Sequence, residues 1–461
     1  NDPPVDVETQ RTRRKVRIEP ADPTSLERGV RQLLADKVSG TMVGVWLLVA
    51  EHLRLGTWDL LCGWTGRDGR CVQPRLALQM VHEAALASTG VRWDRSLSQK
   101  GFEAANGLPF VATDQAIHKM LAAQSIEQTQ ALQVALGRLR RASGHFQARR
   151  LAIDPHNLRS YSKRQMRRHR YREDEKPVKA LRTFFCLDTD THQPVAVTIG
   201  SAALTVAQAT PELLRMAQAI LQPDPGQALV LADTEHFGVE VFHDVCEQTR
   251  FDLLCPMPNG SRDQTKLAAL APERFRPRWA GLATAVQPYR FRHDDTQPLY
   301  QLIQRCGERE GDYHYKAFLS TTTRDELHQL CYDFPDRWHV EEFFNAYQAM
   351  GWNRAGTLNL QIRYGQLTLA LLAQAVVAQL RARLGEPYDH WDADHLGRDL
   401  FQGLDGDVRV ADDTILVTFY NAPNADRLRQ HYEDLPRNLA AEGIDPHIPW
   451  LYGFKLEFRF V

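Results

Sequence analysis

Two aspartates close short runs of β-branched or aromatic residues: Asp154 ends Leu151-Ala152-Ile153-Asp154, and Asp233 ends Leu229-Val230-Leu231-Ala232-Asp233. In an open α/β sheet reactive groups collect beyond the carboxyl ends of strands, so two such carboxylates can share a site. As hard-oxygen donors they suit a divalent cation such as Mg²⁺. An aspartate after a strand also starts turns readily, and the pair alone leaves both readings open. Further on, Asp336 to Phe344 reads as a helix with Arg337 and Glu341 at i and i+4 on one face. Taken bare, that spacing also fits a surface ion pair. His156 and His236 lie two and three positions beyond the aspartates. Because Mg²⁺ prefers oxygen, these imidazoles are assigned structural or phosphate-contacting roles, and Glu235 stands at most behind the site.

The elements that must position these residues follow from the hydrophobic spacing. Residues 1–24 are a polar arm with Arg11, Arg13, Arg14, Lys15 and Arg17. Residues 25–143 are helical, from spacings such as Val30, Leu33, Leu34, Val38 and a start at Thr113 or Asp114. After Gly144 the period changes, and strands over 150–154, 181–188, 194–199 and 229–233 alternate with helices containing Leu213 to Leu221 and Val239 to Cys246, an α/β pattern over 144–255. Residues 256–330 lose that rhythm among scattered prolines and read as a β-rich inserted lobe. A helix near Pro335 and a long one to Leu384, stopped by Gly385 and Pro387, occupy 331–385, and strand patterns return in 386–461.

At 461 residues, with 43% hydrophobic and 25% charged positions, the chain has the composition of a folded multidomain protein. Seven cysteines without a C-x2-C pair exclude a disulfide framework and a cysteine-based zinc site. The apolar stretches are shorter than the ~18 residues of a spanning helix, so no membrane segment is expected. The start lacks both a Met and a signal pattern and gives no targeting information, and a soluble intracellular protein is the default expectation. A net charge of -1 announces no nucleic-acid partner globally.

In order, Asp154, then Asp233 in Leu-Ala-Asp-Thr-Glu-His-Phe, then Arg337-Trp338-x-x-Glu341-x-x-Phe344 resemble the DDE transposases of the IS4 type, enzymes of insertion sequences. The spacings agree, 79 positions between the aspartates and 108 to the glutamate. Gly101-Phe102-Glu103 through Phe110 and Thr113 to His118 also look like the helical N-terminal, DNA-binding region of such enzymes. The resemblance implies an RNase H-like mixed sheet flanked by helices, with a β-rich insertion before the glutamate. It implies Asp154, Asp233 and Glu341 as catalytic metal ligands for two Mg²⁺ ions, with Mn²⁺ as a substitute. It also implies double-stranded DNA, both element ends and target, as partner, DNA-associated in a bacterial cytoplasm, with room for a homodimer in the DNA complex. Cut-and-paste transposition is the activity implied. A DNA-binding descendant without catalysis, and an RNase H-like nuclease without strand transfer, are the alternatives.

Two departures bear on those alternatives. The Tyr expected three positions before Arg337 is Phe334, with Tyr332 nearby to take its role, and the Lys expected seven positions after Glu341 is Gln348. Glu341 and Glu342 are adjacent on a helix and about 100° apart, so one faces the aspartates, and register with Arg337 favours Glu341.

The neutral total hides a local belt. Between Arg138 and Arg182 there are fifteen Lys or Arg against four acids, a net of +11, which is a nucleic-acid footprint around Asp154. Within it Tyr161, Lys163, Arg164, Arg167, Arg168 and Arg170 are expected to meet DNA backbone beside the scissile phosphate. Trp279 either stacks an extruded base or fills the core of the insertion.

Overall fold

The computed structural model describes residues 22–461 other than 41, 87–99, 161–164, 166–167, 171–174, 202–203, 293–297, 348–349 and 351–358, and omits the side chains of 201, 262 and 345–347. The expectations on the N-terminal arm, on Tyr161, Lys163, Arg164 and Arg167, and on Gln348 lie outside the described residues.

The chain opens with helices α1 (Pro23–Ala35), α2 (Trp46–Leu55), α3 (Thr57–Thr65), α4 (Val72–Ala85), α5 (Lys100–Ala105), α6 (Asp114–Ala122) and α7 (Ile126–Ala142). Their starts are written in the caps. Asp22 accepts from the Ser25 amide with Pro23 at the first helical position, Thr113 accepts from Ala116, and Ser125 and Gln128 close a reciprocal capping box on α7.

A short strand, β1 (Val38–Gly40), interrupts these helices. It pairs not with a neighbour in sequence but with Gly406–Ala411, through Val38↔Val408 and two further register pairs. So the N-terminal segment is not purely helical.

The central sheet uses β2 (Arg150–Arg159), β3 (Arg168–His169), β4 (Val178–Asp188), β5 (Gln193–Ser201), β6 (Leu229–Leu231) and β7 (Asp252–Pro256), with α8 (Val206–Leu221) and α9 (Val239–Gln248) between the later strands. β5 and β4 and then β4 and β2 pair antiparallel, whereas β2, β6 and β7 run parallel. Three antiparallel strands joined to two parallel ones with helical crossovers make the RNase H-like mixed sheet expected from the sequence. Two details differ from that expectation. β2 does not end at Asp154 but continues to Arg159 along β4. Its pairing with β6 stops at Ala152↔Leu231, and beyond that point a strand with one partner tolerates Pro155, which has no amide hydrogen. Second, the segment read as a separate lobe extends this same sheet: after α10 (Ser261–Ala268), β8 (Arg276–Trp279), β9 (Leu282–Tyr289), β10 (Leu299–Cys306) and β11 (His314–Ser320) follow antiparallel, and β11 pairs with β7.

The return to the core is made by α11 (Glu326–His328), a turn over Phe334–Trp338, α12 (His339–Tyr347) and α13 (Leu360–Leu384). α13 starts where Asn359 accepts from the Ile362 amide and stops before Gly385, at φ 61°. Apolar on all sides, it is a core helix: α2, α4, α6, α7 and β5 all pack against it. By length and composition α13 could cross a membrane, but 72% of its apolar window is buried inside the protein. Beyond it, β12 (Gly406–Ala411), β13 (Thr414–Phe419) and β14 (Lys455–Phe460) complete the β1 sheet. The helices before Ser143 and the segment after Glu386, expected as separate units, thus share one hydrophobic core. A polar tie repeats the join, with Tyr432 donating to Glu51 at 2.7 Å and Arg54 bridging Glu51 and Glu442.

Candidate active site

The three parallel register pairs of β2 and β6 all differ by 79 positions, and so do Asp154 and Asp233. Both aspartates therefore stand two residues beyond the last pair, side by side and on the same face, because side chains alternate along each strand. Asp233 does begin a turn, over Thr234–His236, and this is what fixes it. Its Oδ1 accepts from the Glu235 amide at 3.0 Å and from His236 Nδ1 at 2.6 Å, and the buried Cys255 thiol donates to its carbonyl.

The third acid arrives on α12. Val340, Phe343 and Phe344 bury the inner face of this helix. Phe344 lies 5.2 Å from Phe185 and stacks on His156 with centroids 4.4 Å apart. Arg150, at the start of β2, holds the turn before α12 by pairing with Asp336 and, at 3.6 Å, with Asp333. From that turn Arg337 reaches Asp154 Oδ1 at 3.6 Å and Glu341 Oε1 at 3.0 Å. Glu342 points elsewhere, bonding His339 at 2.7 Å.

The two aspartates are displaced in opposite directions. Burial pushes the Asp154 carboxyl up to about 7, assisted by the charges of Asp233, Glu341 and Glu235 against the opposing pull of Arg337. Burial also pushes on Asp233, but the bond from His236 and the charges of His236 and Arg337 win, and it lies below the usual range. A buried carboxyl crowded by an ionised neighbour makes a locally negative site whose charge a divalent cation would offset. With three carboxylates as donors, the set fits hard divalent ions. Among the described residues, though, the three ligands whose donor atoms lie within 4.8 Å of one another are His192, His339 and Glu342; the three acids are spread more widely around Arg337.

Of the other expected residues, Tyr332 is 57% exposed and lies against His328. Phe334, at the family Tyr position, packs on Phe318 with centroids 4.8 Å apart. Trp279 is 52% exposed on the edge strand β8 and is not a core residue of the insertion. It borders a cavity of ≈ 610 Å³ shared with Thr234, Phe318, Phe334 and Pro335, beside Asp233. A further cavity, ≈ 1050 Å³, opens at the other end of the strands around Arg150, Leu229 and Asp252.

Arg168 and Arg170 are exposed, but the belt is not all surface. Arg140 is fully buried, donating to the Pro194 carbonyl and to Gln193, and Arg138 caps the Ala219 carbonyl. His236 was expected in a structural or phosphate-contacting role, but its bond to Asp233 was not foreseen, nor was the work of Arg150 or the pairing of Arg182 with Glu235 at the rim. The Arg150 pairing with Asp336 spans 186 positions and carried no local signal.

The family model for the transposase DDE domain matches residues 145–375, half of the chain. The chain belongs to the DDE transposases. With the family come its class of reaction, polynucleotidyl transfer, and its general use of divalent metal ions. The matched span begins just before β2 and ends within α13, so it contains both aspartates and the glutamate of this transposase. One similar solved structure is that of the piggyBac transposase in a synaptic complex with hairpin DNA, 12% identical, covering 84% of this chain and 80% of that chain at a TM-score of 0.40. No curated protein matches the transposase.

Proposed function

We propose that this transposase is of the IS4 type and moves its element by cut-and-paste, with Asp154, Asp233 and Glu341 holding two Mg²⁺ ions. The observation that carries the reading is the convergence of the three acids, two by strand register and one through α12, around the shared cation of Arg337. Asp154, on β2 between β4 and β6, would be the acid placed to serve both ions. When bound, such ions would activate the attacking oxygen, stabilise the leaving oxygen and neutralise charge at phosphorus. Water serves as the first nucleophile and the freed 3′-OH of the element end as the second.

The chain's own residues do the rest. His236 keeps Asp233 ionised and fixes its rotamer. Arg337 offsets the repulsion between Asp154 and Glu341 and offers a guanidinium to a phosphate oxygen. Arg168 and Arg170, with Tyr161, Lys163, Arg164 and Arg167, are proposed to hold the DNA backbone on the approach to Asp154, and Tyr332 to contact it from the turn before Arg337. The apolar cavity beside Trp279 is proposed to receive a base extruded at the cleavage site, stacked on the indole.

The test is cleavage of labelled DNA carrying the ends of the encoding element, with Mg²⁺, comparing the parent with Asp233→Ala. Product from the parent alone supports the reading. Equal product from both discards the site, and binding without cleavage by the parent would favour a DNA-binding descendant, for which Phe334 in place of the family Tyr is the motivating departure.

A further inference from the structure

On the far side of α12 from Glu341, His192, His339 and Glu342 each offer a ligand atom, and these atoms lie within 4.8 Å of one another. Two elements contribute. His192 stands in the turn between β4 and β5 with a left-handed backbone at φ 56°, a conformation His adopts more often than most residues. That turn carries its ring against His339, with centroids 4.1 Å apart and planes at 31°. His339 and Glu342 are three apart on one helical face and bonded Nδ1 to Oε2 at 2.7 Å. Asp336 adds a carboxylate 4.0 Å from His339 Nε2. A cavity of ≈ 370 Å³ opens at His192 and Glu342, with Asp389 and Asp392 on its wall beside Arg381.

We propose that His192, His339 and Glu342 bind a borderline divalent cation of the Zn²⁺ class, at a site separate from the acids assigned to Mg²⁺. An i, i+3 hydrogen bond accounts for His339 and Glu342 by itself; it does not account for a third donor brought from the β4–β5 turn to the same point. Two imidazoles and one carboxylate are a donor set that selects Zn²⁺ over Mg²⁺, and three protein ligands leave a fourth position for water. Ligands held at about 2.0–2.2 Å from one ion stand no more than about 4 Å apart, about 1 Å short of the present spread. The His339–Glu342 hydrogen bond then gives way to shared ligation. A bound ion ties α12 to the β4–β5 turn. The assignment stands on these three residues and holds whatever role Glu341 has.

The experiment uses the full chain, stripped of metal and titrated with Co²⁺, a visible-absorbing stand-in for Zn²⁺, in excess Mg²⁺. Parent protein and an Asp154→Asn, Asp233→Asn double variant should bind Co²⁺ alike, with an absorption band that Zn²⁺ removes. His192→Ala should weaken binding at least about tenfold, and Glu342→Gln should do the same. His192 is on the surface, so its replacement spares the fold, and circular dichroism checks this. Unchanged Co²⁺ affinity and absorption in both His192→Ala and Glu342→Gln would overturn the site. So would loss of the band in the double aspartate variant alone, since the ion would then sit at the acids.

Discussion

Arg337 stands between Asp154 and Glu341, 3.6 Å from the first and 3.0 Å from the second. Its charge opposes the upward displacement of the Asp154 carboxyl, so its removal leaves the acids with less compensation. Arg337→Ala is expected to slow strand cleavage by about 100-fold, the usual cost of losing one positioned charge. The pH profile should also move to higher pH, because Asp154 would ionise later. A profile that stays in place while the rate falls would show that Arg337 acts elsewhere.

Asp154 also carries a stability signature. Its folded value, about 7, lies above the ordinary 3.8. The folded state therefore gains from this group below pH 3.8 and loses that gain as pH rises through 7. Asp154→Asn removes the burden. In chelator, urea unfolding should find the variant more stable than the parent at pH 8, by up to about 4 kcal/mol for a displacement of about three units, and the advantage should vanish near pH 4. A variant less stable at pH 8 would contradict the crowding of carboxylates described above.

The N-terminal helices carry the opposite dependence. His82 and His52 are buried side by side, ring centroids 5.0 Å apart, with His82 bonded to Asn106 at 2.7 Å. Burial lowers His82 to about 4, with the Asn106 bond pulling the other way, and burial with the neighbouring His82 holds His52 well below its ordinary value. Below about pH 6.5 the unfolded chain takes up protons that the folded one refuses, so stability present at neutral pH is lost as pH falls towards 4. His82 alone should cost about 3 kcal/mol over that window. Urea midpoints at pH 7 and pH 4.5, for the parent and His82→Gln, test this, the variant having the shallower fall.

Trp279 separates stability from function. At 52% exposure, its replacement by Ala should change unfolding free energy by less than about 0.5 kcal/mol. Fluorescence of 2-aminopurine placed at the cleavage site should report reduced base extrusion in the variant. Equal signals from parent and variant would remove Trp279 from the proposed interface.

Much of this arrangement could be read in advance where it depended on local pattern. The caps at Thr113 and Gly385 bounded helices, and the strand runs before Asp154 and Asp233 lay where β2 and β6 form. What local pattern does not carry is partnership across distance. Asp154 looked like a strand end because it closes an apolar run, yet β4 supports the strand onward to Arg159. β1 finds its partner about 370 positions away, and no periodicity announces that. Charge counting placed Arg140 with the DNA-facing cations, whereas burial against Pro194 and Gln193 makes it a packing residue.

The burial of α13 has a consequence for the order in which the chain is made. α2 to α7 leave the ribosome more than two hundred positions before Leu384, the last residue of the helix they enclose. At about 5–20 residues per second, they wait roughly 10 to 65 seconds for it. Throughout that interval the faces that α13 covers stay open to water, although the early helices already pack on one another. A copy cut short by a stop codon ahead of Leu384 would never finish its largest core. Such fragments should be cleared by proteases instead of lingering to compete with intact enzyme.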